Sequence, residues 1–198
     1  MRFFAELKTR SQIQLAIVLH RFASFENSFK EIFEGFETHF VQPLTVEEVG
    51  TLVRKPLEGT RITFTDDAIQ KIVEFTGGRP MEIQNLCQAL MDPSSENKHE
   101  RLTYRAEDIN ELIGKKMRQL MDSFHVAIGN YQKVYDRSMS DAERAIIDSL
   151  IEREEIPVSE IDETTIQPLV DTTFVTKDET KKVYRINGTL FKRVISEK

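Results

Sequence analysis

The sequence predicts a mainly α fold with a helical middle, a smaller C-terminal unit of short helices and a β-hairpin, and one N-terminal strand from a parallel α/β sheet. Three observations predict it. Apolar residues recur at three- and four-residue steps from Thr45 to about Tyr135. Two β-rich runs near the C-terminus, Thr173–Thr176 and Val183–Ile186, flank a polar turn holding Asp178 and Glu179. The run Ile13–Leu19 is continuously apolar from Leu15, and no later run offers it a parallel partner.

Along the chain, Phe3, Phe4 and Leu7 cover one side of a short helix before that apolar strand. A strand apolar on both faces belongs inside a helix-covered sheet. The rest of its sheet is therefore expected upstream of Met1 or from another chain. From Thr45 the pattern turns helical. Thr45 with Glu48 reads as a capping box, with Val46, Val49, Leu52 and Val53 as an apolar face that ends at Pro56. Phe64, Thr65 and Ile69 fit a hydrophobic staple around an N-cap, and the helix they open turns Ile72 and Val73 inward. Gly77 and Gly78 stop it, because glycine tolerates the left-handed C-terminal conformation. Pro80 starts the next helix, where its missing N–H costs nothing, and Ile83, Leu86, Cys87 and Leu90 form the buried stripe.

Residues 92–101 are a polar loop. One long helix is then expected from about Ala106, carrying Ile109, Ile113, Met117, Leu120, Phe124, Ile128, Tyr131 and Tyr135 as a connector, with kinks at Gly114 and Gly129. Ser140 and Glu143 cap a helix with Ile146, Ile147, Leu150 and Ile151. Segments at Val158–Ile161 and Thr164–Val170, the hairpin and a closing segment Leu190–Ile195 follow. Three short helices and then a hairpin is the order of a winged helix-turn-helix. The expected division is 1–44, a remnant of a sheet-bearing core; 45–105, a helical unit; 106–139, the connector; and 140–198, the winged helix.

Bulk composition narrows the function classes. The chain has 198 residues, 39% of them apolar, enough for one or two small cores. Its net charge of −6 argues against coating nucleic acid or an anionic membrane. One cysteine, Cys87, excludes an internal disulfide framework and fits a reducing cytosol. No apolar run is long enough to span a membrane, and no signal-peptide pattern opens the chain, so a soluble, cytoplasmic protein without a membrane partner is expected. His20, His39, His99 and His125 share no metal-ligand spacing, and no metal site is assigned.

Four runs together carry a family resemblance: Val41-Gln-Pro-Leu-Thr-Val-Glu-Glu-Val49, Leu52-Val-Arg-Lys-Pro-Leu57, Phe64-Thr-Asp-Asp-Ala68 and Thr76-Gly-Gly-Arg-Pro80. They resemble the lid of AAA+ and STAND-type ATPases, most closely the archaeal and bacterial group related to origin-recognition proteins. In that group a winged helix follows the lid. The resemblance implies that Gly78-Arg79-Pro80 is the lid's Gly-x-Pro motif, with Pro80 near the nucleotide base and Arg79 sensing the phosphates. It also implies that Arg21, just after the apolar strand, contacts the terminal phosphate. Arginine suits both tasks because its planar fork binds phosphate oxygens bidentately and keeps its charge.

One departure matters as much as the likeness. The phosphate loop Gly-x-x-x-x-Gly-Lys-[Ser/Thr] is absent: Gly114-Lys115 is the sole Gly-Lys pair, and its required upstream glycine is Ile109. No apolar strand ends in an acidic pair that would hold Mg²⁺. The expectation is the C-terminal part of a nucleotide-dependent switch, without catalytic residues and not an enzyme alone. ATP or ADP would bind only if the missing core is supplied. Its partner would be that core or a separate P-loop protein, or further copies of the chain in a homo-oligomer.

A DNA-binding regulator working through Lys181, Lys182 and Arg185 is the alternative, as is an adaptor docking onto a P-loop ATPase. Charge weighs the DNA reading. Over 140–170 two arginines meet nine carboxylates, net −7, while 171–198 carries net +3. The candidate recognition helix contains Pro168 and offers Thr164, Thr165 and Gln167 as readers beside acidic neighbours. A winged helix serving as a protein-binding or intramolecular surface fits this balance better.

Overall fold

The computed structural model describes residues 41–91, 103–115 and 124–197. The apolar strand, Arg21 and the polar loop lie outside them. The described part is mainly helical, with two small sheets.

Helix α1 (Val46–Arg54) begins at the expected capping box: the Thr45 hydroxyl accepts from the Glu48 N–H, and the Glu48 carboxylate accepts from the Thr45 N–H at 2.8 Å. A 3-10 turn, Lys55–Leu57, places Pro56 where a helix could not continue. Strand β1 (Thr63–Phe64) leads into α2 (Asp66–Thr76), capped at Thr65 and closed by Gly77 with φ +65°. Helix α3 (Pro80–Met91) follows at once and buries Ile83, Leu86, Cys87 and Leu90. Burial pushes the Cys87 thiol up to about 12, so it behaves as a small apolar side chain.

Strand β2 (Thr103–Tyr104) pairs with β1 in parallel, Phe64 opposite Tyr104 with stacked rings 4.8 Å apart. Sequence patterning missed this pairing, because two residues are too few to set a period. Its link to α2 is tight: the Thr65 N–H and hydroxyl both donate to the Tyr104 carbonyl, and Asp67 accepts from the Ala106 N–H. Helix α4 (Ala106–Lys115) then packs on α2 with Ile109 and Leu112 buried.

The expected single helix from 106 to 135 is not what forms. Phe124 has φ −97° and ψ 8°, a turn conformation, and α5 (His125–Lys133) starts after it. At this break Phe124 is fully buried, edge-on to Phe75 of α2 at 6.0 Å. Gly129 does not interrupt α5.

A π turn (Val134–Ser138) joins α5 to α6 (Asp141–Arg153), which opens on the expected Ser140–Glu143 capping box. Strand β3 (Ile156–Pro157), a 3-10 turn (Val158–Glu160) and α7 (Glu163–Asp171) precede a hairpin of β4 (Val175–Asp178) and β5 (Val183–Ile186). The antiparallel sheet runs β3-β5-β4. Helix α8 (Thr189–Ser196) returns to pack on both α2 and α5. Leu190, Phe191, Val194 and Ile195 of α8 therefore share one buried cluster with Phe75, Phe124 and Tyr131. Among the described residues no helix is long and apolar enough to cross a membrane.

Candidate functional site

Among the described residues, the joint between α2 and α3 gathers several unusual local features. Thr76, fully buried, donates its hydroxyl to the Ile72 carbonyl and accepts from the Gly78 N–H, tying off the helix end. Gly77 and Gly78 both have positive φ, and both are boxed in. A Cβ on Gly78 would lie 2.4 Å from the Leu44 carbonyl oxygen, whose own N–H donates to the Gly78 carbonyl at 2.8 Å. Only glycine fits that approach.

Arg79 turns away from the exposed side of this joint. Its Nη1 donates to the carbonyls of Thr76 (3.1 Å) and Asn187 (3.3 Å), and Nη2 donates to that of Thr173 at 2.9 Å. The guanidinium lies 5.4 Å from the ring centre of Tyr131 and 5.7 Å from that of Phe174, the range of cation–π attraction. Pro80 and Met81, by contrast, are exposed.

The C-terminal unit supplies the other half of the contact. Asn187 Nδ2 donates to the carbonyls of Gly77 (3.2 Å) and Thr173 (3.1 Å), while its N–H donates to Phe174. Gly188, at φ +89°, brings its backbone so near that a Cβ would sit 2.9 Å from the Gly77 nitrogen. Thr173 holds φ +64°, a strained conformation for a β-branched residue, and it is the residue whose carbonyl takes bonds from both Arg79 and Asn187.

Beneath Arg79 lies a buried acid. Glu82 is 2% exposed, and the Tyr131 hydroxyl donates to its Oε1, whereas Oε2 has no partner. Burial pushes its carboxyl up to about 7, against the opposing pull of Arg79 and the Tyr131 bond. Arg79 and Glu82 make no direct ion pair. Tyr131 is itself packed edge-on against Phe191 at 5.1 Å and Phe174 at 6.2 Å, so the polar cluster has an aromatic wall.

The joint thus brings together Gly78, Arg79 and Pro80 with three residues that sequence reasoning did not single out as a site: Glu82, Thr173 and Asn187. Glu82 carried a faint signal, a charged residue four positions before Leu86 and flanking the buried stripe of α3. Asn187 and Thr173 carried none, because their roles depend on contacts about a hundred residues away.

Lys181, Lys182 and Arg185 stand on the hairpin, and each has a carboxylate close by. Lys181 lies 3.5 Å and Arg185 3.2 Å from Glu155, Arg185 also pairs with Asp178, and Lys182 lies 3.0 Å from Glu179. Among the described residues no three His, Cys, Asp or Glu side chains gather into a metal-binding group. No known protein family, curated protein or solved structure matches the chain.

Proposed function

We propose that this chain is the lid and winged-helix part of a nucleotide-dependent switch of the AAA+/STAND kind, relaying the state of a phosphate-binding core to the C-terminal unit. What carries the reading is the joint at Gly77–Pro80. One backbone turn is gripped by Thr173, Asn187 and Gly188 of the C-terminal unit while Pro80 and Met81 stay open to solvent. A movement imposed on the exposed side of such a turn would be felt directly by the C-terminal unit. The order α6, β3, 3-10 turn, α7, β4, β5, with sheet order β3-β5-β4, supports assigning that unit as a winged helix.

In this role Gly78 and Pro80 border the nucleotide, and Arg79 reaches its phosphates only after leaving the Thr173 and Asn187 carbonyls. The phosphate loop, absent from this sequence, comes from a core or partner protein. Calorimetry with ATP and with ADP tests this: the chain alone should show neither micromolar binding nor turnover, and both together would overturn the reading. The DNA-binding reading has less support. The hairpin cations already sit beside carboxylates, and a phosphate would have to displace those partners.

A further inference from the structure

The cluster at the α2–α3 joint places an acid, a guanidinium cation and an interface within one set of contacts. Arg79 and Glu82 are three apart at the start of α3, a spacing at which side chains on a helix can meet. They do not meet here. The guanidinium instead reaches across to the Thr173 and Asn187 carbonyls, and Glu82 keeps one oxygen without a partner. A neutral carboxyl tolerates that arrangement far better than a carboxylate, since an unpaired buried charge is much the costlier of the two.

We propose that Arg79, Glu82 and Tyr131 form a proton-operated clasp between the helical unit and the C-terminal unit. With Glu82 neutral, Arg79 stays on the Thr173 and Asn187 carbonyls and the C-terminal unit is held on the joint. When Glu82 loses its proton, its carboxylate draws the guanidinium back along α3. Both carbonyls lose the guanidinium, that of Thr173 keeping only the Asn187 amide, and the unit is released from Gly77. The proton goes to solvent and no covalent bond changes.

Other charges do not supply a rival explanation. Arg79 from the joint and Tyr131 from α5 are the charged and titratable groups acting on Glu82. Helices α1 and α2, which also pack on α3, bring apolar Val49, Val53, Ile69 and Ile72 inward. Burial places the Glu82 transition at about 7, where a modest change in acidity moves it. The strain at Thr173 points the same way, because a strained residue held in part by the guanidinium favours release once that bond goes. The clasp stands independently of the nucleotide reading.

Energy transfer between dyes on the full chain tests it, with Gln84→Cys and Thr180→Cys as exposed attachment points and buried Cys87 left unlabelled. Circular dichroism should stay constant from pH 5 to pH 8.5 while transfer efficiency changes with a midpoint near neutrality. Glu82→Gln should hold the low-pH efficiency throughout. Tyr131→Phe removes a bond that lowers the Glu82 transition, so its midpoint should move up. A flat profile in the native chain, or the same midpoint in Glu82→Gln as in the native chain, would overturn the clasp.

Discussion

Replacing Glu82 by glutamine should change how the protein's stability depends on pH, with a sign and a size that follow from the fold. The carboxyl starts from an ordinary value of 4.5 in the unfolded chain and is pushed up to about 7 by burial in the folded one. Between those values the folded state keeps a proton that the unfolded state has released. The stability this carboxyl contributes is therefore fully present below about pH 4.5, falls as pH rises, and is gone above about pH 7. The difference of about 2.5 units corresponds to about 3 kcal/mol lost across that window. Glutamine keeps the acceptor for Tyr131 and, like the protonated acid, puts a hydrogen-bearing atom where Oε2 sits, so its own cost is the same at every pH. The carboxyls of Glu48, Asp67, Asp162, Asp178 and Glu179 are held below their ordinary values by hydrogen bonds and charge, and these act in the opposite direction. They act equally in both proteins and cancel in the difference. Urea titrations at half-unit steps from pH 4.5 to pH 8 should find the glutamine variant gaining about 3 kcal/mol on the native chain. A gap that stays constant within about 0.5 kcal/mol would refute the claim that burial controls this carboxyl.

Three further outcomes follow from the same contacts. Gly188→Ala combines a left-handed backbone with a Cβ 2.9 Å from the Gly77 nitrogen, and should lose about 2–5 kcal/mol in thermal or urea unfolding. Arg79→Ala takes a donor from three carbonyls, of which that of Thr173 keeps the Asn187 amide, and removes a cation from two rings; about 3 kcal/mol of destabilisation is expected, with Arg79→Lys rescuing only part because an ammonium cannot fork to Thr173 and Asn187 together. Changing Lys181, Lys182 and Arg185 to Glu should leave the mobility of a duplex DNA probe unaltered at low salt, as the native chain should itself cause no shift. A native shift that the triple variant abolishes would restore the DNA reading.

What the sequence made legible was local. Both capping boxes, Thr45–Glu48 and Ser140–Glu143, form as their spacing demands, and Thr65, Gly77 and Pro80 bound α2 and α3 where their chemistry places them. Such signals work because the partner lies within four residues. The misses are long-range. The β1–β2 pair joins Thr63 to Thr103, and β3 exists because Ile156 faces Tyr184. The break at Phe124 falls where its ring meets Phe75, nearly fifty residues earlier, and periodicity alone reads straight through it. For the candidate site the division is the same. The Gly-Gly-Arg-Pro turn announces a joint, but the direction of the Arg79 side chain depends on carbonyls at 173 and 187 that no spacing rule connects to it.

Unfavourable features occur at several places among the described residues, with Glu154 and Lys182 at positive φ and Arg185 Nε without a hydrogen-bond partner, but at this joint several kinds meet. Thr173 at positive φ, a glycine pair and a third glycine in near-contact, and a buried carboxyl oxygen without a partner all lie around one arginine. The surrounding core, from Val49 through Phe124 to Phe191, is ordinary apolar packing. If stability were the sole demand, apolar groups of similar volume would serve at least as well as a half-buried arginine and a buried glutamate. Strain and unpaired polarity persist where two arrangements of a joint must lie close in energy, because each defect destabilises the closed state a little while the contacts of Arg79 restore it. A joint balanced in this way responds to any group that competes for the guanidinium. The Glu82 carboxylate is the competitor already in place, and a ligand phosphate on the Pro80 side would be the other.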